Sequence, residues 1–296
     1  MGKIVKSKNL SQKSQDLAKK EQNLTQTKCK KAHKKERLVL KVGTSIISNG
    51  DILVMERLEK LCELIATLRE KFHIILVSSG SVASGYTKLR LDKSLIANKQ
   101  ALSSIGQPLL MDTYRKILEP KGIIPAQLLP TRSTFDSRQR TAYAREVIDI
   151  LLSNEILPII NENDAIAQGE LISGLTLGDN DQLAAYVAHY FNAKMLVILS
   201  DVYGFFDCDP LQNKDAKLIK YVSSISQKTL QGEQKGGSKF ATGGIVTKLL
   251  AADFLLAQNR SMFLCSGFDL EPTRGFLMES KHKQGTLFSK DKGIEI

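Results

Sequence analysis

Hydrophobic residues along this chain gather in four short unbroken runs, each ending in a cluster of small and polar residues. Leu38-Val39-Leu40 leads into Lys41-Val42-Gly43-Thr44-Ser45, and Ile74-Ile75-Leu76-Val77 into Ser78-Ser79-Gly80-Ser81. Leu157-Pro158-Ile159-Ile160 leads into Asn161-Glu162-Asn163-Asp164, and the run Met195 to Leu199 into Ser200-Asp201. Apolar runs without alternation predict strands buried on both faces, as in a helix-covered parallel sheet. Ligands of such sheets bind outside the carboxyl ends of the strands. The polar clusters therefore predict the lining of a site along one sheet edge.

Between the runs the apolar spacing changes to a helical period. Leu58, Leu61, Cys62, Ile65 and Leu68 predict an amphipathic helix over about 55–71. Further helices are expected over 94–118, 138–153, Asp181 to Phe191 and about 246–258. Additional strands are expected at Ile123 to Leu129 and Ser261 to Leu264, with a polar, turn-rich stretch from the fourth run to about 240. Asp179 and Asn180 are good caps for the helix that follows them. This alternation predicts an α/β fold with right-handed crossovers. No repeat of fixed period is visible.

Charge changes the picture at one end only. The net charge of +11 suggests an anionic partner. However, residues 1–37 hold eleven lysines and one arginine against Asp16, Glu21 and Glu36, a net of +9 that leaves only +2 for the rest. Residues 1–36 have few large apolar side chains and no aromatic ring, so a disordered basic tail is expected there. No 7–15-residue apolar segment follows its lysines, which argues against a secretory signal. The near-neutral remainder argues against a nucleic-acid partner, and no apolar stretch approaches the ~20 residues that span a bilayer. Four widely spaced cysteines without a Cys-x-x-Cys pair fit a reduced, cytoplasmic setting.

The candidate chemistry is phosphate handling. His33, His73, His189 and His282 are scattered and form no metal-ligand cluster. The stretch Gly232 to Lys239 misses the Walker pattern by one residue and lacks a preceding strand. Lys41 ends a strand and is followed by Gly43-Thr44-Ser45, where a glycine permits close backbone approach and a helix start offers amides to an anion. Gly80 stands in the same place after the second strand. The run Thr242-Gly243-Gly244-Ile245-Val246-Thr247-Lys248 is a second donor-rich turn that ends in lysine as a helix begins.

In order and spacing these motifs resemble the amino acid kinase family over about Leu38 to Ser289. The match also takes in Lys99-Gln100, Gly106-Gln107, Thr131-Arg132, Gly178-Asp179-Asn180-Asp181 and Asp209-Pro210. The resemblance implies a three-layer α/β/α sandwich with a mainly parallel central sheet, having an acceptor lobe over about 37–192 and a nucleotide lobe over about 193–290. It implies phosphorylation of the side-chain carboxylate of L-glutamate by ATP, the first step of proline biosynthesis. Lys41 and Lys248 would be the phosphate lysines, Asp181 their anchor, and Gly43 and Gly244 amide donors. Ser79, Asp164 and Asn180 would bind glutamate beside Asn161 and Asn163, with Asp164 suited to the α-ammonium. Ser200, Asp201 and the turn from Thr242 to Lys248 would bind nucleotide, and Mg²⁺ would ride on the ATP phosphates with no dedicated protein site.

Further implications are a homo-oligomer, feedback inhibition by proline, and delivery of glutamyl phosphate to a reductase. Ser200, Phe206 and Ile245 replace the family's usual Thr, Tyr and Met. The segment 169–177 looks longer than usual, and no residues remain for a C-terminal PUA domain. Two other functions stay open: a family member acting on acetylglutamate or a related small acid, and a catalytically inactive nucleotide-binding regulator. A substrate panel separates the first. Retention of both lysines and Asp181 argues against the second.

Overall fold

The first apolar run becomes β1 (Glu36–Val42), the central strand from which the sheet is built outward. The computed structural model describes residues 35–166, 180–210, 212–231 and 243–291. Residues 1–34 of the expected tail, the segment 169–177, Gly178, Asp179, the near-Walker stretch and Thr242 lie outside those residues, while Glu36, expected at the tail's end, instead opens β1.

After β1 come α1 (Thr44–Ile47), α2 (Met55–Leu68), β2 (Phe72–Ser78), α3 (Ser81–Tyr86) and α4 (Ile96–Leu118). Next are β3 (Pro125–Leu128), α5 (Arg132–Phe135), α6 (Arg138–Ser153), β4 (Leu157–Ile160) and α7 (Asn180–Tyr190). The chain continues with β5 (Met195–Ser200), β6 (Tyr221–Val222), α8 (Gln227–Leu230), α9 (Gly243–Ala257), β7 (Ser261–Ser266), α10 (Glu271–Glu279) and β8 (Thr286–Phe288). The eight strands form one sheet in the order β3-β4-β2-β1-β5-β7-β8-β6. Every described pairing is parallel except β7 with β8.

Both faces of the sheet are covered, which is why the strands read as continuous apolar runs. Leu38, Leu40, Leu76, Val197 and Phe263 pack on one side with α2, α4 and α10. Val39, Ile75, Val77, Leu196 and Ile198 pack on the other with α6, α7 and α9. The result is the expected three-layer α/β/α sandwich. Strand alternation then fixes a key placement: Lys41, two residues beyond Val39, shares the α7/α9 face at the carboxyl end of β1.

The expected elements differ from the observed ones mainly at their ends. Helix α9 starts at Gly243, so the glycine-rich turn is partly helical. Asn180 is the first residue of α7 rather than its cap. β3 is shorter than expected, confined between Pro125 and Pro130 at the sheet edge, where proline is tolerated.

A close crossing of α3 and α4 sets the walls of the site. A Cβ on Gly106 would lie 1.8 Å from the Ser81 carbonyl oxygen, and one on Gly85 would lie 1.9 Å from that of Leu102. Backbone touches backbone here, so no side chain can give way. Gly106→Ala is expected to destabilise the fold by about 1–3 kcal/mol, the usual range for overpacking. Thermal melting checks this; an unchanged melting temperature would show that the crossing adapts freely.

Candidate active site

Three charged side chains meet at the carboxyl edge of the sheet. Lys41 Nζ lies 2.5 Å from Asp181 Oδ1, and Lys248 Nζ lies 3.1 Å from Asp181 Oδ2. Thr247 Oγ1 also donates to Asp181 Oδ2 at 3.2 Å, and Lys248 Nζ donates to the Gly244 carbonyl at 3.0 Å. The Asp181 carboxylate is fully buried, while the two lysine side chains stay 6% and 12% exposed. Both lysines line the cleft and Asp181 stands behind them.

Burial alone would push the Asp181 carboxyl up. The charges of Lys41 and Lys248, with their hydrogen bonds, outweigh burial and hold it below the usual carboxylate range. One carboxylate facing two ammonium groups leaves a local charge of +1, and unpaired buried charge is costly. The bridge thus holds two cations at fixed separation and leaves them under-neutralised toward the cleft. A bound anion completes that balance.

A second polar cluster lines the same cleft on the β2/β4 side. Gly80, two residues beyond β2 and just before α3, has φ +104°, and a Cβ there would come within 2.9 Å of Ile47 Cδ1. Glycine therefore makes the turn that presents Ser79 and Ser81 to the cleft. Asn180 Nδ2 donates to Ser79 Oγ at 2.7 Å, to Asn161 Oδ1 at 3.1 Å and to the Ser78 carbonyl at 3.3 Å. Asn161 Nδ2 donates to Gln107 Oε1 at 2.9 Å, and Gln107 Nε2 to Gln127 Oε1 at 3.1 Å. Asp164 Oδ2 accepts from Ser103 Oγ at 3.2 Å and from Ser81 Oγ at 3.4 Å.

The cleft measures about 520 Å³ and connects this cluster with the lysines. Among the sequence-derived candidates, Lys41, Gly43, Ser79, Asn161, Asp164, Asn180, Ser200, Asp201, Gly244 and Lys248 line it. Ser200 Oγ donates to Asp201 Oδ1 at 2.9 Å, and the Gly43 amide donates to the Leu199 carbonyl at 3.3 Å. Ile245 packs instead against the α7/α9-side core, and Val246 is half-buried without lining the cleft. Gly243 opens α9, and Thr242 lies outside the described residues. Asn163 is not in the lining; its amide donates to the Pro130 carbonyl at 3.1 Å, which holds the turn after β4.

Sequence reasoning assigned no role to Ser81, Ser103, Gln107 or Gln127. A usable signal existed for two of them: Ser103 and Gln107 are four apart in a predicted helix, so they share a face. His189 packs between the rings of Tyr190 and Phe254, and burial first, then Arg260 and Arg145, push its pKa down. Among the described residues no three His, Cys, Asp or Glu side chains converge to hold a metal, and no helix is long and apolar enough to cross a membrane.

A helix-covered parallel sheet carrying two lysines bridged by one carboxylate at its ligand-binding edge marks a phosphotransferase. The chain belongs to the amino acid kinase family, whose sequence profile matches residues 36–266. Among full-length relatives it is 51% identical over 253 residues to a glutamate 5-kinase of Wolinella succinogenes, covering 85% of this chain and 97% of that one. It is 48% identical over 253 residues to a glutamate 5-kinase of Leishmania donovani, covering 86% and 95%. Solved structures share the fold at 16% identity. Carbamate kinase from Giardia lamblia has a TM-score of 0.58, covering 87% of this chain and 99% of its own. UMP kinase from Bacillus anthracis has a TM-score of 0.57, covering 89% and 100%.

Proposed function

We propose that this chain transfers the γ-phosphoryl group of ATP to the side-chain carboxylate of L-glutamate, giving ADP and L-glutamyl 5-phosphate. The observation that carries the proposal is the Lys41–Asp181–Lys248 bridge, held in one cleft with the Ser79–Asn180–Asn161 cluster and Asp164. Relatives about half identical over most of the chain, and named glutamate 5-kinase, supply the choice of acceptor.

The nucleophile needs no general base. A glutamate side chain has an ordinary pKa of about 4.3, so it reaches the cleft ionised at pH 7. Its carboxylate oxygen attacks the γ-phosphorus as the bond to the β-phosphate oxygen breaks, and ADP leaves with that electron pair. The protein's task is to align two anions and to neutralise charge spreading over the transferring group. Lys41 and Lys248 do this as compact cations. Asp181 positions both without touching the reacting atoms. The Gly244 amide at the start of α9 serves the phosphates, beside Ser200, Asp201 and the turn through Thr247, whereas the Gly43 amide, expected as a second donor, is already held by the Leu199 carbonyl. Both oxygens of Asp181 are committed to the lysines, which suits a Mg²⁺ ion carried on ATP phosphate oxygens.

In the acceptor half, the acidic Asp164 faces the α-ammonium of glutamate, and Ser79 with Asn180 faces the side-chain carboxylate. Asn161 braces Asn180, and Asn163 sets the turn that carries Asp164. A cytoplasmic homo-oligomer, inhibited by proline and passing its acyl phosphate to a reductase, completes the proposal.

The direct test is a panel of glutamate, N-acetylglutamate, aspartate, carbamate and UMP with ATP and Mg²⁺. Turnover should be confined to glutamate, and efficient use of another acceptor in its place would overturn the assignment. Asp164→Asn should raise the KM for glutamate about tenfold to a hundredfold, as for loss of a hydrogen bond between charged groups, and leave nucleotide affinity nearly unchanged. Loss of ATP affinity at constant glutamate KM would reverse the two halves of the cleft.

A further inference from the structure

One face of α4 presents a polar residue to the cleft region at each turn. Gln107 holds Asn161, and Ser103 holds Asp164. Gln100 is the next residue on that face, three before Ser103, and it lines the cleft. Its side-chain amide nitrogen, Nε2, is buried and has no hydrogen-bond partner among the described residues. Buried donors of this kind are rare, because an unmade hydrogen bond leaves the full desolvation penalty in place. Its neighbour Lys99 is exposed and lines the same cleft, adding a positive charge there.

The spacing suits one part of the acceptor in particular. Gln100 lies about 4.5 Å from Ser103 along the helix axis, at 1.5 Å per residue. If Asp164, held by Ser103, takes the α-ammonium, the α-carboxylate on the same carbon lies within one side chain's reach of that point. Asp164 and Glu162 contribute negative charge to this part of the lining, so an acceptor's second carboxylate needs a donor or cation there. We propose that Gln100 Nε2 donates to the α-carboxylate of the acceptor, with Lys99 supplying long-range attraction. Gln100 is then the residue that makes the enzyme prefer an α-amino acid over the same chain with no acceptor oxygen on the α-carbon. The inference rests on the glutamate assignment above and deepens it.

The experiment compares L-glutamate with 4-aminobutanoate, which keeps the ammonium and the reacting carboxylate but carries hydrogen in place of the α-carboxylate, so it offers no acceptor there. The KM for glutamate and the inhibition constant of 4-aminobutanoate are measured for the wild type, Gln100→Met and Gln100→Glu. Melting temperatures check folding, and the shape-conserving Met variant covers failure of the charged one. Gln100→Met should raise the KM for glutamate about tenfold to a hundredfold, the loss of a hydrogen bond to a charged group, with kcat nearly unchanged. Its inhibition constant for 4-aminobutanoate should move less than about threefold. Gln100→Glu should weaken glutamate further by repulsion and bind 4-aminobutanoate at least as well as the wild type, since the new carboxylate attracts the ammonium.

Equal losses for both ligands, or no loss for glutamate, would overturn the subsite while leaving glutamate phosphorylation intact. A wild-type protein that does not turn over glutamate would instead overturn the parent assignment, and the subsite with it.

Discussion

Lys41→Ala and Lys248→Ala should each lower kcat by about 10²–10³-fold, the cost of removing a preorganised electrostatic donor from a transition state. The KM for L-glutamate should change by less than about threefold, because the residues proposed to grip the acceptor are Ser79, Asn180 and Asp164, none of which contacts either lysine among the described hydrogen bonds. The reason for so large an effect on turnover lies in the bridge. Two ammonium groups share one carboxylate, so their combined field toward the cleft is only half cancelled. Negative charge that builds up during transfer meets cations already in place, with no reorganisation at the moment of reaction. Steady-state kinetics with saturating ATP decide the matter. Retention of more than about a third of wild-type kcat by either variant would remove that lysine from the mechanism.

How much of this was legible in the sequence depends on the kind of signal. The strands were readable because burial on both faces leaves unbroken apolar runs, and α6 was readable at both ends, 138 and 153, from its period. Helix α10 and strand β8 were not anticipated. β8 has three residues and gains its place by pairing antiparallel with β7 and parallel with β6, a tertiary fact with no local pattern. Helix α10 carried a usable cue, Pro272 in its first turn, which suits a helix start.

In the site, the lysines were visible beside their glycines. Asp181 was visible only through its family motif, because its role is made by partners far along the chain. Lys248 is 67 residues away, and Lys41 arrives on the neighbouring strand. Ser103 looks like ordinary helix surface in sequence, and Gln107 was visible only within the Gly106-Gln107 motif. Their place in the polar cluster comes from the Gly85/Gly106 crossing, which brings α3 against α4 and buries both side chains.

Asp181→Asn should separate the structural part of the bridge from its catalytic part. The substitution keeps the shape but leaves two ammonium groups facing a neutral amide. Breaking a buried ion pair costs about 3–5 kcal/mol, and the lower end applies because Lys248 can turn toward the cleft. Lys41, almost fully buried, has less freedom. The pH dependence gives the clearer readout. The folded-state carboxyl titrates below its ordinary value, so its contribution is fully present above the unfolded pKa of about 3.9 and is lost as pH falls through the lower folded value. Wild-type melting temperature should therefore drop between pH 5 and strongly acid conditions by more than that of Asp181→Asn, with the two curves converging in acid. At pH 7 the variant should also lose kcat by about 10²-fold, because unanchored lysines no longer stand where charge develops. Parallel melting curves across the whole acid range would mean that Asp181 is not held ionised by its lysines. Unchanged kcat in a stable variant would mean that the lysines need no anchor to act.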